Sequence, residues 1–132
     1  MTVFRKLLCD RSGSPAVEFA FAAPVLLLFV IGIIQVGLLF SATAGMASGV
    51  NEGARYASIF PTPTDAQILD RINDKRFMVQ TAYMQTPTLE HGTANGVPFI
   101  DITMRYSAPL NFVFFSTPAV TLKQTRRVYL SS

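Results

Sequence analysis

The sequence has little of what small soluble or catalytic domains commonly use. Its 132 residues include one cysteine, one histidine and no tryptophan, and only 14% are charged. A single cysteine excludes a disulfide within the chain and a cysteine-based zinc site, and a single histidine excludes a histidine-rich metal site. Because 50% of the residues are hydrophobic, the low charged share indicates that part of the chain lies in lipid.

Sequence motifs for catalysis are also missing. There is no H-x-x-E-H pattern, no nucleophile elbow and no phosphate-binding loop. His91 stands alone in a glycine-containing turn, where we expect a solvated loop residue. Asp70 and Asp74 are one helical turn apart, but a charged helix face with Arg71 and Lys75 explains them without catalysis. We therefore expect no catalytic residue, metal or cofactor, and a protein that is not an enzyme.

The basic charge balance does not indicate a nucleic-acid-binding protein. The net charge is +3 and the isoelectric point about 9.4. Arg5, Lys6 and Arg11 against Asp10 give +2 within residues 1–13, whereas the rest of the chain carries eight basic and seven acidic side chains, or +1. Because the excess is concentrated at the N-terminus, no basic face for DNA or RNA is implied.

One long apolar run predicts a membrane-spanning helix. Residues 19–51 contain no charge, and in residues 19–40 only Gln35 is strongly polar. A helix of that run would be roughly 33 Å long, close to the hydrocarbon thickness of a bilayer. A backbone in lipid must satisfy its own hydrogen bonds, so the segment should be helical. The basic flank then places the N-terminus in the cytoplasm and the rest outside.

A cleaved secretory signal is the competing interpretation of this run. Ala42-Thr43-Ala44 has the small-x-small pattern of a signal peptidase site. The apolar run is, however, longer than a typical signal core of about 7–15 residues. Cys9 does not indicate a lipoprotein, since no apolar stretch precedes it. The span over about 19–40 is therefore the favoured interpretation.

We expect the helix to cover residues 14–60, because Pro61 and Pro63 would end it. Small residues recur along it at every fourth position: Gly37, Ser41, Gly45, Gly49, Gly53 and Ala57. Such spacing lets two helix backbones approach closely. Small residues are common in membrane helices, so chance is the alternative, but a six-member run favours helix packing.

The start of the helix resembles a type IV prepilin processing site. A short basic leader is followed by Gly13-Ser14-Pro15-Ala16-Val17-Glu18 and then at once by the apolar run. The resemblance implies that a prepilin peptidase removes residues 1–13 by cutting between Gly13 and Ser14. It also implies that Glu18 pairs with the N-terminal amine of a neighbouring subunit, whereas an interfacial carboxylate that merely ends the span is the plainer alternative.

Three segments resemble the TadE-like pseudopilins of tight-adherence (Tad, Flp-type) pili. SPAVEFAFAAP at residues 14–24 is similar to the family opening AAVEFALVLP, and NEGARYA at 51–57 is similar to AREGARYA. IIQVG at 33–37 is similar to IIEFG with glutamine in place of glutamate. Pro15 departs from the small residues usual there, although proline is tolerated in a first helical turn. The resemblance marks Glu52, Gly53, Arg55 and Tyr56 as a motif at the helix end.

Residues 61–132 predict a small module of helix and sheet, which makes the fold class α+β. Thr64 and Gln67 form a candidate capping box for an amphipathic helix over about 65–77. Alternation over residues 99–106 predicts a strand, and Asn95-Gly96 before it predicts a hairpin. We expect a partner strand near 82–88, with a loop through His91, and a third strand over about 120–130.

Two features of the outer module allow more than one interpretation. The oppositely charged Glu52 and Arg55 either solubilise the helix as it leaves the membrane or dock a sister subunit. The apolar stretch Leu110–Phe115 lies between two prolines and should form a loop or short helix. A flap over the small core is favoured, and contact with the bilayer surface or another pilus component is the alternative.

The resemblance implies a non-enzymatic minor pseudopilin that helps to assemble a Tad-type adhesive pilus. Its expected location is the bacterial inner membrane, as a single-pass protein with a periplasmic module that either stays there or enters the fibre. Its expected partners are prepilin peptidase, other pseudopilins, pilus-assembly platform proteins and membrane lipid, without nucleic acid. The alternatives are an uncleaved signal-anchored envelope protein of another complex, or a small exported binding protein or enzyme that begins near Gly45.

Overall fold

The long helix α1 is the first element of the computed structural model, which describes residues 14–59, 61–112 and 114–130. It runs over Ser14–Ala57, 44 residues with Pro24 inside, and confirms the predicted long N-terminal helix. At 1.5 Å per residue it is about 66 Å long. The described chain divides into two compact units between Ile34 and Gln35, so the second half of α1 shares a unit with the sheet.

The second helix, α2, covers Asp65–Lys75 and begins with the predicted capping box. Gln67 N donates to Thr64 Oγ1 (3.4 Å) and Thr64 N donates to Gln67 Oε1 (2.9 Å), which satisfies two otherwise free N–H groups. Ile68 and Ile72 are buried. The helix ends before Phe77, the predicted limit, because the backbone is already extended at Arg76.

Three antiparallel strands follow in the order β1 (Thr88–Ala94), β2 (Val97–Ala108) and β3 (Val120–Tyr129). Asn95 and Gly96 connect β1 to β2 with φ of 53° and 81°, the left-handed backbone that a two-residue hairpin turn requires. The α+β class, the hairpin and the third strand are therefore confirmed.

The position predicted for the first strand is wrong. Residues 81–83 form a single 3₁₀ turn, and β1 starts at Thr88 and contains His91. Its register pairs Ala94 with Val97 and His91 with Ile100. Because Asn-Gly closes the hairpin by itself, the partner strand must end at Ala94, and no room is left for a longer loop through His91.

One face of the sheet is covered by helix. The core combines three sets of buried residues: Ala42, Met46, Val50, Ala54 and Ala57 from α1, Ile68 and Ile72 from α2, and Ile100, Ile102, Met104, Tyr106 and Ala108 from β2. The α1 set recurs at nearly every fourth position and the β2 set at every second, so each element presents one apolar face. A module of this size has a marginal core by itself, and the C-terminal half of α1 supplies much of it.

Candidate functional site along the long helix

The candidate site has three parts along α1, and the first is its N-terminus. Gly13 lies outside the described residues, and Ser14 is the first residue of α1. Glu18 follows one turn later and is exposed. Pro15 occupies the first turn, where its missing N–H breaks no hydrogen bond.

The second part is the apolar surface of α1 between Phe19 and Phe40. Its large side chains are exposed, among them Phe19, Phe21, Leu26, Phe29, Ile33 and Phe40. The helix is long and apolar enough to cross a membrane, by its length and composition. A contiguous apolar surface of this extent needs lipid or another helix to cover it.

The small-residue series of α1 has two different environments. A Cβ at Gly45 would overlap the carbonyl oxygen of Phe77, and one at Gly49 would lie 2.9 Å from the carbonyl oxygen of Ile72. A Cβ at Gly53 would overlap the side chain of Ile72, whereas one at Gly37 would have nothing within 4 Å. Three of the glycines therefore allow close packing on the chain's own α2 and the segment after it, and Gly37 faces open space.

Ser41, the other predicted packing position, is half-buried one turn beyond Gly37. It lies next to Ala42, the first α1 residue that is buried in the core. The series thus passes from an open surface to a packed one at about this turn of the helix.

The third part is the motif at the C-terminal end of α1, where Glu52 binds two arginines. Arg55 donates from Nε and Nη2 to the two carboxylate oxygens at 2.9 and 2.8 Å. Arg71 of α2 donates from Nε to Glu52 Oε1 at 3.1 Å, and its Nη2 lies 2.9 Å from the same oxygen. The hydrogen bond from Arg55, with that from Arg71 and despite partial burial, lowers the pKa of Glu52 to about 2. Glu52 in turn raises the pKa of Arg55.

The other two motif residues contact α2 as well. Gly53 allows the Ile72 side chain to pack against the α1 backbone, and the Arg71 guanidinium lies 6.0 Å from the centre of the Tyr56 ring. Glu52, Gly53 and Tyr56 therefore join α1 to α2 within one chain, and Arg55 pairs with Glu52 on α1 itself. Arg71 lies on the charged face of α2 that was expected, and it is half-buried there because it also contacts Glu52.

Two side-chain contacts that involve strands of the sheet module have no signal in the sequence. His91 Nε2 is 3.0 Å from both carboxylate oxygens of Asp65, which links β1 to the start of α2. Arg127 donates to Asp101 at 2.8 and 2.6 Å, and its guanidinium lies 3.9 Å from the centre of the Phe99 ring. His91 is thus a strand residue with a carboxylate partner rather than a solvated loop residue.

Comparison with known families bears on the segment that contains the first two parts and most of the third. Residues 13–55 match the model of the family described as TadE-like protein. This segment is TadE-like. The match confirms the resemblance found in the sequence, and it includes Gly13, Glu18 and Arg55 but stops before Tyr56. Searches of curated proteins and of solved structures found no match.

The TadE-like family that matches this segment is one of pilus components. An apolar α1 that could span a membrane is consistent with a membrane-anchored pilus protein. Within the described residues no group of three histidine, cysteine, aspartate or glutamate side chains could hold a metal ion. The described geometry contains two surfaces that another helix or lipid could cover: the exposed apolar part of α1 and the open space at Gly37.

Proposed function

We propose that this protein is a non-enzymatic minor pseudopilin that assists assembly of a Tad-type adhesive pilus from the bacterial inner membrane. The observation that carries the proposal is the TadE-like match over residues 13–55, which coincides with the exposed apolar part of α1 and its N-terminal Gly13–Glu18 spacing. The module over residues 61–132 then lies in the periplasm, and the basic leader over residues 1–13 begins in the cytoplasm.

In this proposal prepilin peptidase cuts between Gly13 and Ser14 and frees the Ser14 amine. Glu18, exposed one turn further on, pairs with the amine of a neighbouring subunit. Both charges lie next to hydrocarbon, so each is tolerated only when the other is near. The pair therefore sets the register of neighbouring helices in the membrane.

The rest of α1 supplies the helix-packing surface. Gly37 has open space around it, so a neighbouring helix backbone can approach there. Gly45, Gly49 and Gly53 are already in contact with the chain's own elements, so they hold the module in place instead. Other pseudopilins and the assembly platform are the expected partners along the open part of the helix.

The test is the N-terminus of the membrane-extracted protein, determined by mass spectrometry in strains with and without prepilin peptidase. A peptidase-dependent start at Ser14 supports the proposal. A Gly13→Leu variant should keep its leader in both strains, and Ser12→Ala, a change one residue away, should be cut normally. An unprocessed N-terminus in both strains would sink the processing step and favour an uncleaved anchor of another envelope complex.

A small exported protein released by signal peptidase is the remaining alternative. A cut after Ala44 would remove Ala42, which is buried in the core of the module. It would also separate the module from the apolar part of α1. A soluble product that begins near Gly45 would be the result in favour of this alternative.

A further inference from the structure

The longest uncharged stretch outside α1 lies between β2 and β3. Residues 106–122 contain no charged side chain, 17 in a row. Within it the chain makes a tight turn: Phe112 N donates to the carbonyl oxygen of Phe115 at 2.8 Å, and Thr117 N donates to that of Leu110 at 2.9 Å. We call the described part of this turn, residues 110–112 and 114–116, the apolar loop.

Two of the three described aromatic side chains of the apolar loop, Phe114 and Phe115, are exposed, and Phe112 is half-buried. Phe112 and Phe115 stack with ring centres 4.7 Å apart. Phe114 is 73% exposed and Phe115 is 55% exposed. A flap over the core would bury these rings, so the favoured expectation from the sequence does not explain them.

A hydrogen bond fixes where the apolar loop lies along α1. Gln35 Nε2 donates to the carbonyl oxygen of Asn111 at 2.8 Å. Leu38, Leu39 and Leu110 line a cavity of about 160 Å³ at the same place. Gln35, Leu38 and Leu39 belong to the apolar run of residues 19–40, so the loop lies beside the end of the predicted span rather than beyond it.

Other side chains at this end of the module are apolar and exposed too. Phe40 on α1 and Met78, which lines the same cavity, are both more than half exposed. At the membrane–water boundary, exposed phenylalanine and methionine side chains are favoured because they leave water for the acyl side of the headgroup region. In water alone the same cluster would be an unfavourable exposed patch.

The charges nearest to the apolar loop in sequence fit a lipid surface. Arg105 and Lys123 flank the uncharged stretch, and they are paired in the β2–β3 register. Both are exposed and lie three residues from the loop-side ends of their strands, roughly 10 Å at 3.3 Å per residue. Two cations at that height would meet anionic headgroups when the loop enters the leaflet.

We propose that the apolar loop inserts into the bilayer leaflet facing the sheet module, as a second membrane contact beside α1. The occupant of this surface is lipid. The inference rests on the proposed membrane span of α1, and it adds that the module is held against the membrane at a second point. Two attachments restrict rotation of the module about the helix axis, so its outer sheet face keeps one orientation to incoming subunits.

Single tryptophan reporters test this in the intact chain, which has no tryptophan of its own. The variants are Phe114→Trp and Phe115→Trp in the loop, Phe29→Trp in α1, and Tyr129→Trp at the other end of the sheet as the exposed control. Each is reconstituted in vesicles of phosphatidylethanolamine and phosphatidylglycerol, with lipid brominated on the acyl chains as the quencher.

We expect both loop reporters to emit at shorter wavelength than Tyr129→Trp and to lose about half of their emission to brominated lipid. Tyr129→Trp should instead be quenched by aqueous acrylamide. Because two loop positions are tested, a local effect of one substitution cannot by itself explain the same result at both. Quenching of Phe29→Trp together with acrylamide-accessible loop reporters would overturn the inference while leaving the span intact.

Two other outcomes also decide the matter. Loop reporters that are shielded only when other pilus components are co-reconstituted would overturn the lipid contact and assign the surface to a protein partner. Absence of quenching for Phe29→Trp would overturn both the span and the loop contact. The failure of the proposed membrane insertion is thereby distinguished from the failure of loop insertion.

Discussion

At the scale of single residues, Glu52 is the connection between the TadE-like segment and the module that follows it. Its carboxylate accepts hydrogen bonds from Arg55 on its own helix and Arg71 on α2, and its side chain is only 21% exposed. Arg55 belongs to the matched segment, whereas Arg71 does not. Glu52, which lies in the matched segment, therefore has a hydrogen-bond partner, Arg71, that lies outside it.

The first prediction concerns Glu52→Gln, which should destabilise the folded module at neutral pH. The pKa of Glu52 is lowered from 4.5 to about 2 in the folded chain. The stabilisation is therefore fully present above about pH 4.5 and is lost as the pH falls through 2. The difference in unfolding free energy between wild type and variant should shrink over that range, as measured by urea unfolding in detergent with tyrosine circular dichroism.

Asp70→Asn is the matched control, since Asp70 is an exposed carboxylate on α2. It should leave stability and its pH dependence close to those of the wild type. A Glu52→Gln variant whose loss of stability is the same at pH 7 and at pH 2 would contradict the role given to the charged pair.

Single residues also mark the limits of what the sequence could predict. The Glu52–Arg55 contact follows from a spacing of three on one helix. Arg71 and His91 could not be assigned to partners in the same way, because their contacts join segments 19 and 26 residues apart. Local periodicity places a side chain on a face but does not say which element will lie opposite.

At the scale of elements, α1 performs two tasks with one small-residue series. Its C-terminal half packs on α2 and the sheet, and its N-terminal part is exposed. The helix, its end near Pro61, the capped α2 and the hairpin were all predictable, because each has a local signal. The start of β1 was not predictable in this way, because neither residues 82–88 nor residues 88–94 alternate strongly between apolar and polar side chains. Only the length of the turn, two residues, shows that 88–94 form the strand.

The second prediction compares two glycines of that series. Gly45→Ala should lower the unfolding free energy of the module by about 1–3 kcal/mol, because the added Cβ overlaps the Phe77 backbone, which cannot rotate aside. Gly37→Ala, with open space around it, should leave module stability unchanged or slightly raised. Urea unfolding of both variants in the same detergent measures the difference, and equal stabilities would show that the close approach at Gly45 is not a constraint.

At the scale of the whole molecule, the chain combines a family-typical helix with a module that the match does not include. The N-terminal segment carries the features that prepilin processing and helix register would need. The contact between Glu52 and Arg71 and the close packing at Gly45, Gly49 and Gly53 hold the module against the C-terminal half of α1. What remains open for a neighbouring subunit along α1 is therefore the apolar surface around Gly37.

The last prediction tests whether that open surface is used in assembly. Gly37→Leu should leave module stability unchanged, because nothing in the described chain lies within 4 Å of the added Cβ. If a neighbouring helix approaches at Gly37, the leucine keeps the two backbones apart, and a loss of about 1.4 kcal/mol would weaken their association roughly tenfold and lower pilus yield. The yield of sheared pili from a strain that carries the variant is the measurement.

Val36→Leu, an exposed neighbour on the same helix, is the control and should assemble normally. Normal yield from Gly37→Leu would mean that subunits meet elsewhere, and attention would turn to the outer face of the sheet.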